Sequence, residues 1–237
     1  ELLAGCPFAY FLQYILDVWK PEELEFDQSQ WLNPLQRGSL LHEIFFKFMK
    51  ELSHRKEEVN PKKHKPLFSK IAEEIVSRYR EEIPPPSEGI FERERKEVME
   101  ALDVFLAAES RREEKVEPLM FEVSFGIEGS EGEGLKEPVK IQIHPMIYFY
   151  LRGKIDRIDR LGKHLYRVID YKTGRYSGYE DLDCFGCGRY LQHILYSIAA
   201  EQIIKKTGMD PSPQVVKSGY YFPTRRGDGR EILVERF

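Results

Sequence analysis

Asp156, Asp170 and Lys172 are charged residues in places where a strand should be dry. They lie in the stretch Tyr150 to Arg175, YLRGKIDRIDRLGKHLYRVIDYKTGR, where two short apolar runs, around Ile155 and Ile158 and from Tyr166 to Tyr171, flank a Leu161-Gly162-Lys163 turn. That pattern predicts an antiparallel hairpin. Period-2 alternation puts Asp170 and Lys172 on one face. Val168-Ile169 immediately precedes Asp170, as in a strand from a sheet interior, where an unpaired carboxylate is costly and calls for a cation. Two acids beside a lysine on rigid strands therefore suggest a divalent-metal site. The same letters also fit a surface hairpin laced with cross-strand ion pairs, and isolated Asp-x-Lys matches are frequent.

The elements that must position these residues are legible from periodicity. Residues 2 to 19 carry apolar side chains at helical spacing after a Cys6-Pro7 start and read as a buried helix. An acidic connector from Pro21 to Pro34 leads to a second strong helix, Leu35 to Leu52, which carries His42. Ser53 to Pro66 reads as a basic linker, Leu67 to Glu82 as an amphipathic helix stopped by Pro84-Pro85-Pro86, and Phe91 to Glu109 as a long charged helix with a solvated, ion-paired face. From Met120 the period changes to two, with Glu122 between Phe121 and Val123. Gly129 to Gly134 follows as an acidic turn and Val139 to Ile143 as another strand. Beyond the hairpin come a polar loop with Cys184 and Cys187, a strong helix from Tyr190 to Lys206, a strand at Ser218 to Phe222, a basic turn and a final strand at Ile232 to Phe237.

The chain has 237 residues, 41% hydrophobic and 13% aromatic, enough for one large domain with a substantial core. No uncharged run reaches membrane-spanning length, three cysteines do not make a disulfide framework, and no signal peptide is evident, so a cytoplasmic protein with no membrane partner is expected. The start at Glu1, directly in an apolar pattern, reads as a fragment of something longer. Net charge is −4, but residues 140 to 237 hold 17 basic against 11 acidic side chains, +6, which leaves −10 for the rest. The hairpin lies in the basic part, a modest pointer to a phosphate-bearing partner.

Four motifs in series carry a resemblance: G-x-x-x-H at Gly38 to His42, G-x-x-D-R-I-D at Gly153 to Asp159, V-I-D-Y-K-T-G at Val168 to Gly174, and Q-x-x-x-Y at Gln192 to Tyr196. In order and separation they resemble the RecB-like branch of the PD-(D/E)XK nuclease superfamily, and most closely AddB-type nuclease domains of helicase-nuclease proteins. The Cys6-Pro7-Phe8 start and the Tyr220-Tyr221-Phe222-Pro223 strand extend the likeness to most of the chain. The resemblance implies an α/β, restriction-endonuclease-like fold, a mixed central sheet flanked by helices. We expect a single domain over 1–237, with a helical insertion at 53–118 and a core of 1–52 plus 119–237.

The resemblance also implies roles. Asp156 and Asp170 are expected to bind Mg²⁺ or Mn²⁺, Lys172 to be the catalytic lysine and His42 to join the metal shell, where its nitrogen would favour Mn²⁺. The main-chain carbonyl of Tyr171 is a further candidate ligand, and Glu122 ranks second. Gln192, Tyr196 and Arg175 are expected along the DNA path, although Gln192 and Tyr196 also fit plain helix decoration. Tyr220 to Phe222 with Arg225 and Arg226 fits either a single-strand stacking platform or sheet packing. Relatives of the AddB type hold an iron-sulfur cluster on four cysteines, and Cys6 matches the first. Cys184 and Cys187 precede the Gln192 helix instead of following it and no fourth cysteine occurs, so the reading favours no cluster in this chain and leaves Cys6 as a small buried residue. The expected activity is a Mg²⁺- or Mn²⁺-dependent deoxyribonuclease, an exonuclease on single-stranded DNA acting in recombination or repair beside a helicase domain or subunit, with single strands or duplex ends as substrate. A non-catalytic DNA-binding scaffold in a helicase-nuclease complex and an RNA nuclease of the same fold are the alternatives.

Overall fold

Three long helices lie on one face of a mixed six-stranded sheet and a fourth on the other. The computed structural model describes residues 2–19, 27–112, 114, 116–127, 134–179 and 190–235. Two short helices, α1 (Leu2–Gly5) and α2 (Pro7–Tyr10), are followed by a π-helical turn, then by α3 (Pro34–Arg55), α4 (Pro61–Glu82) and α5 (Glu88–Arg111). The strands are β1 (Glu117–Phe125), β2 (Gly134–Leu135), β3 (Val139–His144), β4 (Ile147–Leu151), β5 (Gly153–Gly162) and β6 (Leu165–Tyr171). Helix α6 (Gln192–Lys206) then crosses over to β7 (Gln214–Phe222) and β8 (Arg230–Glu235).

The sheet order is β2-β1-β5-β6-β7-β8, with β3 and β4 forming a separate hairpin. Strands β5 and β6 pair antiparallel, as their sequence pattern predicts, and the turn falls at Lys163-His164, where His164 takes the left-handed φ of 61°. Strand β6 pairs parallel with β7 through α6, which supplies the long crossover that parallel strands require. The expected mixed sheet flanked by helices is the observed architecture.

Alternation along β6 divides the interior. Ile169 and Tyr171 join the core under α3, α4 and α5, whereas Tyr166 and Val168 join Ala199, Ala200, Ile203 and Ile204 of α6. The first core is rich in rings: Phe45 stacks on Phe105 at 4.6 Å and Phe48 on Phe68 at 3.9 Å. Such aromatic pairs add about 0.5–1.5 kcal/mol each beyond area burial, so α3 is held firmly against the sheet that carries the acids.

Several local expectations need correction. The supposed linker from Ser53 to Pro66 is mostly helix: α3 runs to Arg55, with Lys56 closing it at φ 54°, and α4 begins at Pro61. Asn60 caps α4 by accepting from the Lys63 amide, and Pro61 occupies the first helical position, where its missing N–H costs nothing. Residues 2 to 19 are not a buried helix. Phe8, Tyr14, Ile15 and Trp19 are all more than half exposed, because among the described residues no element packs over them. Of the two readings of Tyr220 to Phe222, sheet packing is the one observed, since all three rings are buried in the sheet. The Gly129 to Gly134 turn lies outside the described residues up to Gly134, and Cys184 and Cys187 lie outside them altogether.

Candidate metal centre and nucleic-acid cleft

Where β1 crosses β5 the register pairs Phe121 with Arg157 and Val123 with Ile155, so Glu122 and Asp156 stand opposite one another. Like charges in that relation destabilise an antiparallel pair. Glu122 also takes a left-handed φ of 51°, which costs about 1 kcal/mol for a residue with a Cβ. Here strain and repulsion coincide with a third candidate ligand, for His42 reaches in from the middle of α3. Ligand atoms of His42, Glu122 and Asp156 all lie within 4.8 Å of one another.

The hydrogen bonds fix how each group is presented. His42 Nε2 lies 3.0 Å from the Tyr171 carbonyl, which can only accept, so Nε2 carries the proton. Nδ1 then turns its lone pair toward Asp156 Oδ1, 3.5 Å away. A lone pair facing a carboxylate is repulsive unless a proton or a metal ion lies between them. The Tyr171 amide donates to Asp156 Oδ2 at 2.7 Å, so one residue's main chain braces both the histidine and the acid. Gly38, one helical turn before His42, faces the end of β6, where an added Cβ would meet Thr173 Oγ1 at an ordinary contact distance of 3.7 Å.

Asp170 stands opposite Asp156 where the β5–β6 register, Arg157 with Ile169, is carried one residue further. Its Oδ1 accepts from Gln192 Nε2 at 2.7 Å and its Oδ2 lies 2.5 Å from Lys172 Nζ, while Lys172 also donates to Gln192 Oε1 at 3.2 Å. The first residue of α6 thus ties the acid and the lysine together. Burial, then the Asp156 charge, push the Asp170 carboxyl up to about 6 against the pull of Lys172. Burial likewise raises Glu122, with the charge of Asp156 adding to it and Lys154 opposing it. For His42, burial works downward, but the hydrogen bond and charge of Asp156 outweigh it and the net shift is upward. Lys172 shows the same balance: burial lowers it, Asp170 more than compensates, and the ammonium is stabilised.

These groups line a cleft of about 1170 Å³ that also includes Lys154, Thr173, Arg175 and Gln192. Among the expected ligands, His42 and Asp156 come together with Glu122, ranked second from sequence, while Asp170 is held by Lys172 and Gln192 and repels Asp156 from nearby. The donor set fits a divalent cation: the carboxylates of Glu122 and Asp156 and an imidazole nitrogen converge, with the Asp170 carboxylate close enough to feel the Asp156 charge. Tyr171 offers its carbonyl first to His42. Arg175 is exposed at the cleft. Tyr196 packs its ring edge-on to Phe125 beside Gly153, where an added Cβ would come within 2.9 Å of the tyrosine hydroxyl, and burial, with the charges of Asp170 and Asp156, raises that hydroxyl against the Gln192 hydrogen bond. Lys154, which sequence reading passed over, pairs with Glu122. Its place two residues before Asp156 was the available signal. Cys6 is exposed and free, not buried; its sulfur accepts from the Ala9 amide as the cap of α2.

Comparison with known proteins agrees with this geometry. The chain is 29% identical over 91% of its length to an ATP-dependent helicase/deoxyribonuclease subunit of Clostridioides difficile (strain 630), covering 18% of that protein. Its identity to the protein of the same name in Moorella thermoacetica is 29%, over 84% of this chain and 17% of the relative. The Clostridium perfringens (strain SM101 / Type A) protein gives 28% over 88% of this chain, again with 18% of the relative. The chain therefore spans about a fifth of the length of these relatives. The sequence profile of the PD-(D/E)XK nuclease superfamily matches residues 1–236, and the chain belongs to that superfamily.

Proposed function

We propose that this domain is a metal-dependent deoxyribonuclease that cuts single-stranded DNA exonucleolytically, as part of a helicase-nuclease protein acting in recombination or repair. The observation that carries the reading is the convergence of His42, Glu122 and Asp156 beside the Asp170–Lys172 pair in one cleft. The relatives' name supplies the helicase and the DNA. A bound Mg²⁺ or Mn²⁺ would neutralise charge on the scissile phosphate and make a water molecule nucleophilic near neutral pH.

The chain's own residues have separable tasks. Asp156 and Asp170, with Glu122 and Nδ1 of His42, would hold the ion. The Tyr171 main chain orients Asp156 and His42 so that their free atoms face the same space. Lys172 stays protonated beside Asp170, which makes it a donor of charge and hydrogen bonds toward a phosphate oxygen or the attacking water, not a base. Gln192 fixes the distance between that ammonium and the Asp170 carboxylate. Arg175, exposed at the cleft, is placed to meet the phosphate backbone.

The test is degradation of end-labelled single-stranded DNA by the purified chain. Short products should appear with Mg²⁺ or Mn²⁺ and vanish with chelator, and Lys172→Ala should reduce the rate by about 10²–10³-fold while circular dichroism stays that of the wild type. A folded wild-type chain that is inert with both metals contradicts the reading and favours a non-catalytic DNA-binding scaffold. RNA offered as competitor at fixed salt decides the nucleic acid.

A further inference from the structure

The hairpin β3–β4 has two unlike faces. Val139, Ile141, Phe149 and Leu151 turn inward and pack with α6, and Gln202 Nε2 donates to the Lys140 carbonyl at 2.9 Å, which anchors the hairpin to that helix. The opposite face carries Lys140, Gln142, Tyr148 and Tyr150, with Lys140 opposite Tyr150 and Gln142 opposite Tyr148 in the strand register. Tyr148 is 50% and Tyr150 61% exposed. A tyrosine pair this open is hard to account for by packing. The two rings meet edge-on at 5.7 Å, and Lys140 Nζ lies 3.9 Å from the Tyr148 ring centroid. These contacts fix the ring orientation and put a cation beside an exposed aromatic surface.

Charge points the same way. Between Pro138 and Ile155 the sequence has Lys140, Arg152 and Lys154 and no acidic residue. The hairpin also leads in sequence toward the cleft: Tyr150 precedes by four positions Lys154, which lines the cleft and pairs with Glu122 opposite Asp156. We infer that the outer face of β3–β4 is a stacking platform for single-stranded DNA, on which Tyr148 and Tyr150 take bases while Lys140 and Arg152 meet phosphates, and which leads the strand over Lys154 to the acids. Base–aromatic stacking tolerates any sequence, because every base has a π-face. That suits an enzyme digesting whatever strand it is given. Tyr220 to Phe222, which fit either a platform or sheet packing from sequence, are buried in the sheet, and the hairpin carries exposed rings. The inference rests on the proposed nuclease reading for its substrate but not on catalysis for its test.

The experiment measures binding of a fluorescent oligothymidylate to the full chain by anisotropy in chelator, where no cleavage occurs. The double variant Tyr148→Ala/Tyr150→Ala should weaken binding by about tenfold or more, the corresponding Phe pair should restore it, and Lys140→Gln should lower the slope of log K against log salt by about one. A second measurement needs no variant: photo-crosslinking of wild-type protein to an iododeoxyuridine oligonucleotide should label the peptide spanning 147–151. Unchanged affinity in the folded Ala pair, or crosslinks confined to other peptides, overturns the inference and leaves the exposed face as a protein-docking surface. Absence of cleavage with intact, Tyr148- and Tyr150-dependent binding would instead sink the nuclease reading alone.

Discussion

Asp156 and Asp159 stand three residues apart on β5, and the same chemical group does opposite things at the two positions. Asp159 is fully buried and fully balanced: Arg157 Nε reaches its Oδ1 at 2.6 Å and Arg167 Nε its Oδ2 at 2.7 Å. Arg157 continues to Glu109 at 3.0 Å, and Arg112 joins Glu109 at 2.6 Å and pairs with Glu231, so α5, β5, β6 and β8 are tied by alternating charges. Burial alone would raise Asp159, yet its two arginines hold the carboxyl below the usual range. Asp156 instead faces Glu122 across the strand register, with Asp170 close enough to feel its charge. One region spends its charges on one another. The other sets the carboxylates of Glu122, Asp156 and Asp170 side by side among Lys154, Lys172 and His42, and two of those carboxyls are raised, at a cost in stability. The link between them is short: Arg157 Nη1 lies 3.4 Å from the Tyr171 hydroxyl, and the Tyr171 main chain braces the metal centre.

Substitutions that treat the two regions alike should therefore give unlike results. The largest effect is expected for Asp156→Asn, which should cut DNA hydrolysis by about 10³-fold or more while leaving the urea midpoint in chelator unchanged or higher. Asp159→Ala should do the reverse. It strands Arg157 and Arg167 in the core and should cost about 3–5 kcal/mol in urea unfolding, with activity lost only in proportion to the unfolded fraction. If Asp159→Ala were neutral to stability, the division into structural and functional charge would collapse.

The pH dependence separates the regions by sign. Because the Asp170 carboxyl sits at about 6 in the folded chain, the folded state binds its proton more tightly than the unfolded chain does, and metal-free stability falls as pH rises from about 4 to 6. Asp170→Asn should remove that fall, as read from unfolding curves across pH in chelator. The carboxyl of Asp159 is shifted the other way, so its contribution is fully present above about pH 4 and is lost as pH drops below that. The smallest effect belongs to Tyr171→Phe, which removes the hydroxyl contact with Arg157 and should cost about 1 kcal/mol in urea.

The sequence showed the hairpin and the long helices clearly, because there a single period governs each run and turn residues bound it. The hairpin's partners were less accessible. Pairing of β6 with β7 is parallel and runs through α6, and nothing local in Gln214 to Phe222 announces which strand it will meet. The place of Glu122 beside Asp156 was not legible, because a left-handed residue in mid-strand breaks the alternation by which its face would be judged. Asp156 and Asp159 are indistinguishable in the string G-K-I-D-R-I-D; only the positions of Glu109 and Arg167 in space decide which one is neutralised. Pro66 suggested a linker where the Asn60-Pro61 cap starts a helix, and the sequence left Tyr220 to Phe222 open between a platform and sheet packing because strand alternation alone does not say which face is covered.

The central claim is that the clustered acids form a divalent-metal centre. A crystal structure of the chain with Mn²⁺, recorded with anomalous scattering, tests it most directly. One peak should appear in the cleft with Asp156 as a ligand and His42 Nδ1 and Asp170 also in contact with the ion, and Asp156→Asn should abolish it. A cleft without a peak at saturating Mn²⁺, or a peak that Asp156 does not touch, would contradict the account.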